Sequence, residues 1–156
     1  MKESGVKIIT ENRKARHDFT IIEVFEAGIE LKGTEVKSLR AGKVNLKDSF
    51  VRITARGEMV MMNTHISPYD FGNVNNHDPL RTRRLLMHRR EIDRLLGKIK
   101  EKGLTLVPLK MYFKHGLVKV AVALAEGKKV YDKRRDIAKK DANREIQRAL
   151  KDRQRY

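Results

Sequence analysis

Apolar and polar residues alternate with period two through the second half of the chain, which predicts sheet. Val107, Leu109, Met111 and Phe113 alternate with Pro108, Lys110 and Tyr112, and Val118, Val120, Val122 and Leu124 alternate with Lys119, Ala121 and Ala123. The two runs flank Lys114-His115-Gly116, so a β-hairpin is expected. Pro108 cannot donate to a ladder, which places its strand at an edge or a bulge there. Upstream, Asp18 to Leu31 is rich in β-branched and aromatic residues and reads as one curved strand, with Gly28 as the expected bend or bulge. Asp48 to Ile53 and Met59 to Ile66 read as two strands joined through Ala55-Arg56-Gly57-Glu58, where Gly57 suits a positive φ. Ser67 to Asp78 reads as loop, from Pro68, Gly72 and the Asn/Asp residues around them.

The period changes between Arg89 and Lys102. Ile92, Leu95, Leu96 and Ile99 recur at spacings of three and four among charged residues, and Gly103 follows. This predicts an amphipathic helix closed by a glycine C-cap. Gly33 to Gly42 reads as a shorter helix or turn that presents Lys37 and Arg40. Five or six short strands with one helix before the final hairpin predict a mainly β fold: a small antiparallel barrel of the OB type with one or two short flanking helices. The expected organisation is a basic N-terminal arm over residues 1–17, the barrel over residues 18–126, and a basic tail over residues 127–156.

Charge then adds a partner. The chain has 156 residues, net charge +16 and an isoelectric point near 10.2. Gly127 to Tyr156 holds twelve Lys/Arg against five Asp/Glu, with only scattered large apolar groups such as Val130, Tyr131, Ile137, Ile146 and Leu150. Such a segment cannot bury enough surface to offset its conformational entropy, so the tail is expected to be disordered when free and ordered by a polyanion. Ala138, Ala142, Ile146, Ala149 and Leu150 still fall on one helical stripe, which predicts folding on contact. Counterion release makes nucleic acid the expected partner. The sequence has no cysteine, which excludes disulfides and thiolate zinc sites. No apolar run approaches the ~20 residues that cross a bilayer, and the N-terminus lacks the apolar region of a secretory signal, so a cytoplasmic monomer is expected.

Catalytic patterns are missing. His17, His65, His77, His88 and His115 lack metal-site spacing, and the acids are interleaved with Lys or Arg. The chain therefore reads as a binder without cofactor. Three basic clusters are the candidate contacts. Asn12-Arg13-Lys14-Ala15-Arg16-His17 suits an arm that follows phosphates. Arg81-Thr82-Arg83-Arg84 with His88, Arg89 and Arg90 offers bidentate donors, or else neutralises Glu91 and Asp93 or simply faces solvent. Lys128-Lys129 leads into Tyr131, Asp132, Lys133, Arg134 and Arg135, where Tyr131 either stacks on a base or tethers the tail. Glu35 is anomalous among Lys32, Lys37 and Arg40. It either accepts hydrogen bonds from base edges, directs a neighbouring cation, or caps the helix that follows.

Five linked segments resemble the small protein B family, the SsrA-binding proteins that partner transfer-messenger RNA in bacterial ribosome rescue. They are Asn12 to His17, Phe25-Glu26-Ala27-Gly28-Ile29, Gly33 to Gly42, Asp78-Pro79-Leu80-Arg81-Thr82-Arg83, and Gly127 to Arg134, and the resemblance spans nearly the whole chain. It implies an OB-like barrel that binds the tRNA-like domain of transfer-messenger RNA, and a tail that becomes helical in the empty decoding site and messenger channel of a stalled ribosome. It also implies that Asn12, Arg13, Lys14, Arg16, Glu35, Lys37, Arg40, Lys128 and Lys129 face RNA. Tyr131, Asp132, Lys133, Arg134, Leu150 and Lys151 would then engage the ribosome. Many relatives carry His where this chain has Tyr131, and often Ile-Met-Lys at Ala149-Leu150-Lys151. A basic structural ribosomal protein, or another OB-fold RNA binder, is the alternative reading.

Overall fold

Nine strands and four helices follow from these patterns in a computed structural model that describes residues 5–71, 76–128 and 130–154. In chain order they are β1 (Val6–Glu11), α1 (Arg13–Asp18), β2 (Phe19–Ile29), α2 (Gly33–Arg40), β3 (Val44–Asn45), β4 (Phe50–Ile53), β5 (Met59–Met62), β6 (His65–Ile66) and β7 (Arg83–Leu86). They continue with α3 (Arg89–Lys102), β8 (Thr105–Lys114), β9 (Leu117–Gly127) and α4 (Val130–Gln154). Strands pair in the order β8-β4-β5-β7-β2-β9, and β9 returns to β8, so six antiparallel strands close into the expected small barrel. Closure removes the exposed edges of those six strands.

The N-terminal segment departs from the expected arm. β1 pairs with the far half of β8, from Val6 opposite Lys114 to Glu11 opposite Lys110, and α1 follows it directly. A strand is accommodated there because β4 meets β8 only near Leu106, leaving the ladder groups of residues 110–114 unpaired on that side. β7 (Arg83–Leu86) is likewise a strand that the sequence presents as a charge cluster.

The β8–β9 hairpin turns through His115 (φ 51°) and Gly116 (φ 78°), the two left-handed residues of a tight hairpin loop. The register shifts between Pro108 and Lys110, so Leu109 is an extra residue, as the proline requires. That bulge also breaks the apparent alternation. Val107 and Leu109 face outward while Met111 and Phe113 face the barrel interior. In β2 the irregularity lies between Ile21 and Glu23 instead of at Gly28. Gly28 has another role: a Cβ there would stand 3.3 Å from Leu86 Cβ, where β2 crosses to β7. Gly57 takes φ 80° in the β4–β5 turn, as expected.

Two cores result. Inside the barrel, Val120, Val122 and Leu124 meet Met59, Met61, Leu85, Leu106 and Met111, and α3 closes one side with Ile92 and Leu95. The opposite faces of β8 and β9 carry Val107, Leu109, Tyr112, Ala121, Ala123 and Ala125, on which α1 lays Ala15. Helix α1 packs beside β2 and β8 at this outer cluster. Helix α3 ends at Gly103 in the left-handed conformation, and Arg94 and Lys98 hold it to Glu23 on β2 at 2.8 and 3.0 Å.

α4 has no comparable support. Every described side chain from Ile137 to Lys151 is exposed, including Ile146 and Leu150 of the apolar stripe. Its helical state follows from a composition rich in Lys, Arg and Ala, and the packing that would hold it is left to a partner. Leu95→Ala is expected to cost about 2–5 kcal/mol in urea denaturation, because it opens a cavity in the barrel core. Ile146→Ala is expected to stay within about 0.5 kcal/mol. An isolated peptide of residues 127–156 is expected to give mostly coil by circular dichroism.

Candidate nucleic-acid interface

Placement of the basic residues begins with a buried carboxylate. Glu35 enters the first turn of α2 and is wholly buried. One oxygen accepts from Lys32 N–H at 2.8 Å and from Arg81 Nη2 at 2.6 Å, and the other accepts from Arg83 Nε. Arg83 is itself sealed from solvent and spends its remaining donors on the carbonyls of Thr64 (2.8 Å) and Pro79 (3.1 Å). Desolvation would raise the Glu35 carboxyl, but the hydrogen bonds from Arg81, Lys32 N–H and Arg83, with the Arg83 charge, outweigh it and hold it below its ordinary value. Both Glu35 oxygens are thus engaged inside the fold. Of the three roles open in the sequence, it performs two: it caps α2 and directs Arg81 and Arg83.

The second arginine cluster is redistributed accordingly. Arg81 and Arg83 belong to the scaffold, Arg89 pairs with Asp93 one turn along α3 at 3.5 Å, and Arg84 lies 3.9 Å from Glu30. Local sequence could not reveal the first two pairs, since 46 and 48 residues separate the partners.

Asn12 is the matching anchor for α1. It is buried and its Oδ1 accepts from Ala15 N–H at 3.2 Å, forming the helix N-cap. Its Nδ2 donates to Leu46 O and Pro108 O at 3.2 and 3.0 Å. Like Glu35, Asn12 is buried and positions its neighbours within the fold. Lys14 is exposed but engages Asp48 at 2.5 Å, and that contact holds its ammonium in the charged form, above its ordinary value.

What these anchors present is a set of open cations. Arg13 and Arg16 on α1, and Lys37 and Arg40 one turn apart on α2, are exposed and make no ion pair among the described residues. Lys37 Nζ lies 5.3 Å from the centre of the Tyr69 ring. Asn12 and Lys14 hold Leu46 and Asp48, only a few residues beyond Arg40, so the segment leaving α2 is fastened to α1. Arg16, His17 and Lys128 also line a cleft of about 280 Å³ with Lys139, Lys140 and Asn143 of α4. Lys129 lies outside the described residues, as do the side chains of Tyr131, Asp132, Lys133 and Arg134. Leu150 and Lys151 are exposed on α4. Sequence reasoning passed over Lys43, Tyr69 and Phe71; two aromatics in an otherwise polar loop were the available signal.

Comparison with known proteins decides the family. The family model described as SmpB protein matches residues 9–152, which includes α1, the barrel and nearly all of α4. The chain belongs to the SmpB family. An SsrA-binding protein of Pelotomaculum thermopropionicum is 63% identical over 151 residues, covering 97% of this chain and 98% of the relative. That of Bacillus subtilis is 58% identical over 154 residues, covering 99% and 98%. A solved chain from "tmRNA-SmpB: a journey to the center of the bacterial ribosome" superposes with a TM-score of 0.65 at 55% identity, covering 81% of this chain and 87% of its own.

Acidification should test the central carboxylate. Because the folded Glu35 value lies below the ordinary 4.5, its contribution is complete above that pH and is lost as pH falls through the folded value. Glu35→Gln is expected to be less stable than wild type at pH 7, with the difference shrinking as pH drops below 4.5. Arg83→Met, which leaves Glu35 buried and short of a partner, is expected to lose about 3–5 kcal/mol in urea denaturation at pH 7.

Proposed function

We propose that this chain is a non-enzymatic RNA-binding adaptor of trans-translation. It grips the tRNA-like domain of transfer-messenger RNA with the barrel and delivers that RNA to stalled ribosomes, where α4 occupies the empty decoding site and messenger channel. The observation that carries this reading is the family match from residue 9 to residue 152, because it includes the basic terminal helix as well as the barrel. The relatives named SsrA-binding protein and the solved tmRNA-SmpB chain support the same assignment.

The geometry suits the role. Arg13, Arg16, Lys37 and Arg40 stand on short helices fixed by buried hydrogen bonds, so their charges meet phosphates with little ordering cost. A rigid set of cations recognises folded RNA by shape and phosphate position, since the deep groove of an RNA duplex hides its bases. The terminal helix works differently. Its exposed basic surface and unpartnered Ile146 and Leu150 have nothing to bind within the described chain, and a narrow anionic channel would satisfy both. Messenger RNA in the same channel would exclude it by bulk and by charge. No helix among the described residues is long and apolar enough to cross a membrane, consistent with work at the ribosome.

Filter binding to a tRNA-like-domain transcript, against an ordinary tRNA, is the direct test. Wild-type protein should prefer the former. Alanine at Arg13, Arg16, Lys37 or Arg40 should weaken binding and reduce the slope of log affinity against log salt by up to about one per residue. Equal affinity for both RNAs would overturn the reading. Truncation before Asp132 should retain most RNA binding and abolish peptide tagging in a reconstituted stalled-translation assay, whereas persistent tagging would remove the role given to α4.

A further inference from the structure

One feature of the α2 side is unused by phosphate binding. Phe71 is 84% exposed, the most exposed large hydrophobic side chain among the described residues. It stands edge-on to Tyr69, with ring centres 5.6 Å apart and planes at 66°, and Tyr69 lies under the Lys37 ammonium. The aromatic pair is held in place. Asn76 accepts from Tyr69 N–H at 3.2 Å and donates to Tyr69 O at 2.8 Å. Lys43 pairs with Asp70 between the two rings, and His77, buried, joins Thr34 of α2 at 2.9 Å and Ile66 O at 2.8 Å.

We infer that Tyr69 and Phe71 form a stacking platform for one unpaired nucleobase of the bound RNA, with Lys37 neutralising the adjoining phosphate. This rests on the RNA-binding reading above and adds a specific contact to it. A solvated phenyl ring on an otherwise polar loop gains nothing within the fold. A flat π-face beside a cation matches the two parts of a nucleotide, base and phosphate, at once. Because the loop is fastened to Thr34 of α2 and to Lys43 just beyond that helix, the ring is presented on a held support and little entropy is lost on contact. The charge nearby favours RNA over an apolar protein partner: Asp70 is neutralised by Lys43, and Lys37 and Arg40 remain open.

The chain contains no tryptophan, so Phe71→Trp places a single reporter on the platform. In the full-length protein titrated with the tRNA-like-domain transcript, Phe71→Trp should bind like wild type and its emission should be quenched. Phe71→Ala should bind about tenfold more weakly with an unchanged salt slope and an unchanged urea midpoint, since no charge and no buried surface is lost. Arg40→Ala, by contrast, should lower the slope. Either wild-type affinity in Phe71→Ala or an unmoved Phe71→Trp emission overturns the platform, while failure of wild type to bind the transcript overturns the RNA-binding reading along with it.

Discussion

The buried pair of Glu35 and Arg83 is the constraint on which the functional surface depends. It joins the first turn of α2 to β7, and the remaining guanidinium donors tie in the carbonyls after β5 and before β7. A buried ion pair contributes modestly to net stability, because desolvation offsets most of the attraction, but losing one member strands a charge in the interior. The pair therefore fixes geometry more than it adds stability. With α2 held at one orientation, Lys37 and Arg40 point outward together and the aromatic loop has something rigid to lean on.

A comparable device acts on the other basic helix. α1 is only six residues long and could not persist alone. Asn12 supplies its N-cap while reaching two carbonyls of separate segments, and Ala15 is buried in the outer cluster formed by β8 and β9. Both predicted contact motifs thus contain one residue that is spent on scaffold and others that remain available. Polar residues within an RNA-facing motif divide in this way because short helices need anchors, and the anchor must sit beside the residues it presents.

Barrel and tail illustrate two ways of placing charge. On the barrel, folding itself covers the entropy of positioning each cation, so binding can discriminate shape. On α4 the charge is carried by a helix whose described side chains are all exposed, so its order is expected to depend on what it binds. The first arrangement suits recognition of a preformed RNA, the second detection of an empty passage.

The sequence by itself determined the helix at Arg89–Lys102, the hairpin around His115-Gly116 and the basic tail, since each rests on periodicity, a turn residue or a local charge count, while the choice between edge and bulge at Pro108 was made by the strand register. It also carried a small antiparallel barrel, whose closure the β8–β9 pairing decided, and, through its motifs, the family. Only tertiary structure decided that residues 6–11 are a strand, because their partner, the free half of β8, is about a hundred residues away. Tertiary structure likewise gave Glu35 and Asn12 a part as buried anchors and made Arg83 a core residue instead of a surface cation. A charge's role depends on what lies opposite it, and no local pattern records a partner 48 residues distant.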